Sequence, residues 1–90
     1  MKDKIILTDN GKKLLNYLQE HDQVWVGKDL IELTNIKGIY PVLNSLIFNG
    51  LVARAEPVSR VVTNEKGESR PYDYKTYELT EMGRYFQITD

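Results

Sequence analysis

A chain of 90 residues, 41% hydrophobic and 28% charged, has the composition of one soluble globular domain with a single small core. Twelve basic and thirteen acidic residues give a net charge of −1, so a nucleic-acid-binding role would require the basic residues to gather on one face. Cysteine is absent, excluding disulfides, thiol nucleophiles and Cys-ligated metal; no apolar run approaches the ~20 residues of a membrane span, the start through Ile5-Ile6-Leu7 is too short for a secretory signal, and the expected location is cytoplasmic.

Thr8-Asp9-Asn10 offers a helix N-cap, and Leu14, Leu15, Tyr17 and Leu18 follow at helical spacing. The first helix is predicted from Asp9 to Glu20, with Lys12, Lys13, Asn16, Gln19 and Glu20 on its wet face, and His21-Asp22-Gln23 ends it. Val24-Trp25-Val26 is β-prone but long enough only for an edge strand. Gly27-Lys28-Asp29 leads into a two-turn helix with Leu30 and Leu33 expected inward. Thr34-Asn35 closes it, because Asn tolerates left-handed backbone, and Ile36 is expected to plug the corner beyond.

Lys37-Gly38 opens a third helix in which Pro41 falls in the first turn, where no amide partner is lost. Ile39, Val42, Leu43 and Leu46 form its inward stripe, continued by Leu51. Residues 40, 44, 45, 48 and 49 lie on the other side, with Ile47 at the boundary. Asn49-Gly50 reads as a helix ending on glycine and flowing straight into a strand. The extended segment from Leu51 to Thr63 is interrupted at Pro57. Asn64 to Gly67 is the predicted tip, Tyr72 to Leu79 returns, and Pro71 marks where pairing is expected to fray. Thr80 caps a short last helix running to about Gln87, with Met82, Tyr85 and Phe86 as its apolar residues; Ile88-Thr89-Asp90 is expected to be frayed.

Three local patterns carry a resemblance. They are Leu14-Leu15-x-x-Leu18; Gly27-Lys28-Asp29-Leu30-x-x-Leu33 followed by Leu43-x-x-Leu46-x-x-x-Gly50-Leu51-Val52; and Tyr77-x-Leu79-Thr80-x-x-Gly83. In this order, across residues 8 to 86, they resemble the winged helix-turn-helix superfamily, and the last looks like the strand-to-helix exit of MarR-like and PadR-like regulators. The resemblance implies one α+β domain over residues 1–90: a three-helix core, a two-stranded β-wing at 57–75 and a short C-terminal helix. It further implies duplex-DNA binding in transcription control, with residues 38–49 as recognition helix, and a homodimer reading half-sites a helical turn apart. The chain departs from that pattern in four ways. Tyr40 to Asn49 carries no charge, the turn before it reads a residue or two short, Val26 stands where a capping Ser or Thr is expected, and little sequence outside the core is expected to supply the long terminal helices through which MarR-like proteins dimerise.

For DNA, the candidate contacts are Lys28 and Lys37 flanking the helix-turn-helix, and Tyr40, Asn44 and Ser45 toward base edges. Arg60, Lys66 and Arg70, with Arg54 and Lys75, join them from the wing, where Glu65, Glu68 and Asp73 dilute the field. The same wing charges equally fit an ordinary solvated hairpin. The second reading takes the uncharged helix at face value: Tyr40, Ile47 and Phe48, with Tyr72 or Tyr74 from the hairpin, would form an apolar–aromatic patch for a protein partner, as in an adaptor or a phage-type inhibitor. Against that patch stands packing of Ile47 and Phe48 under the wing or the last helix, favoured more for Phe48.

No catalytic constellation is visible. His21 stands alone, which disfavours metal ligation; Asp29 and Glu32 share a helix face with no evident partner; and Trp25 reads as core. Neither a glycine-rich phosphate loop nor a Ser-His-Asp set is present, so a non-enzymatic protein without cofactor or metal is expected.

Overall fold

The computed structural model describes residues 5–88; the expectations for the first four residues and for Thr89-Asp90 fall outside it. Within that range the chain is a small α+β domain of four helices and a three-stranded antiparallel sheet: α1 (Asp9–Glu20), β1 (Trp25–Val26), α2 (Gly27–Thr34), α3 (Ile39–Phe48), β2 (Val52–Thr63), β3 (Ser69–Leu79) and α4 (Glu81–Tyr85). The sheet order is β1-β3-β2, so the return strand is central at the body end and the expected edge strand adds a third member to the hairpin.

Local chemistry sets most boundaries. Thr8 caps α1 by accepting from the Gly11 N–H at 3.0 Å. Asn35, at φ 58°, turns the chain out of α2. At the end of α3, Gly50 adopts φ 77°, its N–H bonds the Ile47 carbonyl at 2.9 Å, and the Leu51 N–H bonds the Leu46 carbonyl at 2.9 Å. This crossed pair satisfies two carbonyls of the last turn and delivers Leu51 into the core. Thr80 accepts from the Gly83 N–H at 3.0 Å and starts α4, which ends at Tyr85 rather than near Gln87. Its last turn is held from outside by Gln19, whose amide donates to the carbonyls of Gly83 and Phe86 at 2.9 and 2.8 Å.

The core lies between α1, α2, α3 and the body end of the sheet. Leu14, Leu15, Leu18, Leu30, Ile36, Ile39, Leu43, Leu46, Leu51, Val52, Tyr77 and Leu79 form one buried cluster, with Trp25 packed at its border. Each buried leucine contributes on the order of 2 kcal/mol of transfer free energy. Two sequence expectations shift here. Leu33 is 52% exposed, and Thr34 is buried in its place. A helix turns about 100° per residue, so Thr34, four after Leu30, stays on Leu30's face while Leu33 rotates off it. The buried hydroxyl is satisfied by donating to the Leu30 carbonyl at 2.6 Å. Ile88 is half-buried and packed on the core, not frayed.

The hairpin pairs from Val52↔Leu79 to Thr63↔Ser69, with one irregularity where the register steps from Ala55↔Thr76 to Val58↔Tyr74. Glu56 and Pro57 fill that step, and the Thr76 hydroxyl donates to the Glu56 carbonyl at 2.7 Å. Beyond it both strands project into solvent, and the molecule measures 55 × 23 × 21 Å. The tip is tightly built. Asn64 Oδ1 accepts from the N–H groups of Lys66 and Glu68 at 2.9 and 3.0 Å, and Gly67 adopts φ 82°.

Pro71 does not fray the ladder, contrary to expectation; it is paired with Val61. The phase explains why. The Asn64 N–H donates to the Glu68 carbonyl at 2.9 Å, which makes Thr63↔Ser69 a pair without mutual bonds, Val62↔Arg70 a bonded pair and Val61↔Pro71 again a pair without mutual bonds. The imino nitrogen of Pro71 therefore faces away from β2, where no ladder bond is lost.

Candidate functional site

Two surfaces gather the residues singled out from the sequence. The first is the outer side of α3. Its buried stripe of Ile39, Leu43 and Leu46 fixes the opposite side outward, so Tyr40, Asn44, Ser45 and Phe48 are all exposed, and Lys37 is exposed in the turn before it. No charged side chain lies within the helix. Phe48 is 90% exposed, while Ile47 is the one that packs against the core, reversing the expectation for this pair. Neither α2 nor α3 has a side-chain N-cap, because Val26 and Gly38 occupy those positions. Their first-turn amides thus lack side-chain acceptors.

The second surface is a groove of about 330 Å³ between the start of α2, the start of α3 and the hairpin, lined by Lys28, Tyr40, Tyr72, Asp73, Tyr74 and Lys75. It merges residues expected to serve DNA with residues expected to serve a protein interface. Tyr72 and Tyr74, two apart on one strand face, bring their rings to 4.8 Å between centroids. Lys28 Nζ lies 5.5 Å and the Arg60 guanidinium 5.6 Å from the Tyr74 ring centroid, so two cations lie against one ring. Tyr40 lies over Gly27, where an added Cβ would come within 3.0 Å of the Tyr40 ring and 2.9 Å of the Tyr77 ring; glycine lets both tyrosines close on the start of α2.

Asp29 is not simply solvated. Its carboxylate takes both Arg60 guanidinium nitrogens, at 3.0 and 3.3 Å, which fixes the hairpin against α2. The hydrogen bond to Asp29, and then its charge, raise the Arg60 pKa further above its ordinary high value. A second long-range pair, Arg84 Nε to Asp22 Oδ2 at 2.6 Å, ties α4 to the end of α1 and raises the Arg84 pKa by the same causes. Trp25 is half-buried and its indole N–H donates to the His21 carbonyl at 2.8 Å, so both residues are structurally engaged.

Lys66 and Arg70 sit apart from the groove, exposed at and just behind the hairpin tip. Lys75, expected among the basic residues of the wing, and Asp73, expected only to dilute their field, both line the groove beside Tyr72 and Tyr74. Among the described residues no group of three or more His, Cys, Asp or Glu side chains is placed to hold a metal ion, and no helix is long and apolar enough to cross a membrane. Comparison with protein-family models and with curated proteins found no match.

Proposed function

We propose that this chain is a winged helix-turn-helix domain that binds duplex DNA without catalysis and acts as a small transcriptional regulator. The observation that carries the reading is the pairing of α3, packed by one stripe and open along the other, with a protruding hairpin whose tip is fixed and bears Lys66 and Arg70. The element order and the β1-β3-β2 sheet support the fold assignment. A ten-residue helix is about 15 Å long and of a width that the major groove admits. In this reading Tyr40, Asn44 and Ser45 meet base edges. Lys28, Lys37 and the first-turn amides of α2 meet phosphates, and the hairpin tip follows the backbone or minor groove.

An uncharged recognition surface gives one copy modest affinity, so a homodimer on half-sites one helical turn apart is part of the proposal. Titration of the purified protein onto mixed-sequence duplex at low and moderate salt, with its solution mass measured alongside, tests it. Micromolar binding that falls steeply with salt is expected; no binding at low salt contradicts it. A second reading, docking of a protein partner, is favoured by the exposed aromatic residues Phe48 and Tyr72 and by the tyrosine-lined groove.

A further inference from the structure

The groove runs along a strand edge, and that edge has a vacant lane. Among the described residues, β1 pairs with β3 only at Trp25↔Tyr77 and Val26↔Thr76; the chain then bends away into α2 at Gly27. Four consecutive β3 residues, 72 to 75, line the groove, which is the signature of an edge rather than a face, since side chains alternate between faces. The ladder phase that turns the Pro71 nitrogen away from β2 applies every second residue along β3. It directs the N–H groups of Asp73 and Lys75, and the carbonyls of Pro71 and Asp73, into the lane that β1 vacates. Pro71 closes the lane at the outer end because it offers no donor, leaving a slot about four residues long.

We infer that this slot accepts a short extended acidic peptide segment of a protein partner, which continues β1 as an added strand. Backbone pairing supplies the docking, and the side walls select the occupant. Tyr40, Tyr72 and Tyr74 offer aromatic surface to its apolar side chains. Among the described residues that line it, Lys28 and Lys75 face it with Asp73 as the one carboxylate in opposition, the neighbouring Asp29 carboxylate being held by Arg60; an acidic segment is therefore the complementary one. This site shares Lys28 and Tyr40 with the surface assigned above to DNA, so peptide and duplex compete there, while Asn44, Ser45 and the hairpin tip lie outside it.

The test is a display selection of randomised hexapeptides on the whole chain, followed by NMR titration of the selected peptides and amide exchange. The expected result is enrichment of acidic, β-prone sequences that protect the Asp73 and Lys75 amides from exchange at least ~10-fold. Asp73→Pro should abolish binding with the fold retained, since Pro71 already occupies an equivalent phase two residues away. Peptides N-methylated at alternate backbone positions should fail on the unaltered protein, which keeps the test independent of that variant. The inference is overturned if nothing is enriched, if selected peptides are basic or move the amides of Asn44, Ser45 and Phe48 instead of those of β3, or if N-methylation has no effect. Protection of the two amides that grows with protein concentration alone, or that duplex DNA produces and peptides do not, would assign the slot to a second copy or to DNA and equally overturn it.

Discussion

The Thr80 hydroxyl donates to the Gly50 carbonyl at 2.6 Å while accepting from the Gly83 N–H at 3.0 Å, so one side chain joins the end of α3 to the start of α4. The Thr80 N–H adds a bond to the Leu51 carbonyl at 3.1 Å. The positive-φ glycine that ends α3 and the threonine that ends the hairpin therefore form one junction, 30 residues apart in sequence. Thr80→Val removes an N-cap and a hydrogen bond together, each worth roughly 1 kcal/mol, and should lower stability by about 2 kcal/mol in urea unfolding. Thr80→Ser keeps both oxygen contacts and should stay within about 0.5 kcal/mol of the parent.

Gly83 packs the first turn of α4 against the backbone of Leu51; a Cβ there would overlap the Leu51 carbonyl oxygen and press on Leu79. Because the obstacle is backbone, it cannot swing aside as a side chain would. Gly83→Ala should cost about 3 kcal/mol or more, read as a fall in the denaturation midpoint.

Much of this architecture is legible in local sequence, because the signals are short-range. Thr8, Asn35, Gly50 and Thr80 each act within a few residues, and Asn64 to Gly67 builds its own turn. Most of the misreadings have longer-range causes, and one is a local matter of helix rotation. Pro71 is harmless only because of a hydrogen-bond phase set at the hairpin tip. Leu33 and Thr34 exchange places because hydrophobicity ranks leucine first, whereas helix rotation and a satisfied hydroxyl decide the matter. Asp29 finds Arg60 across 31 positions, and the groove draws on α2, α3 and β3 at once, so neither pattern has a fixed spacing to read.

Phe48 and Ile47 separate stability from surface function. Phe48→Ser alters a 90% exposed side chain and should leave unfolding free energy within about 0.5 kcal/mol. Ile47→Ser disturbs a side chain packed on the core and should be clearly destabilising by the same chemical unfolding measurement. A partner-binding defect in Phe48→Ser would thus report a lost contact, not a lost fold.

Tyr77, 2% exposed, sets an alkaline limit. Burial, first, and the nearby Tyr40 phenol raise its pKa above the ordinary value of 10.0, with Arg54 opposing. Below that value the phenol is protonated in both folded and unfolded chains, and its contribution to stability is fully present. As pH rises above it the unfolded chain ionises first, so stability is lost as pH climbs through the folded-state pKa. Tyr77→Phe should flatten the stability profile above ~pH 10, measured by urea unfolding at stepped pH.

The most direct measurement of the central claim is the salt dependence of duplex-DNA binding by the parent chain and by Lys66→Ala combined with Arg70→Ala. Arg60 is the poorer probe, since Asp29 already holds its guanidinium. If the hairpin tip lies on DNA backbone, the parent binds at low salt, and the double variant binds more weakly with a log–log salt slope shallower by roughly 2, close to one per removed phosphate contact. An unchanged slope and affinity in the double variant, or no binding by the parent at low salt, would contradict the account.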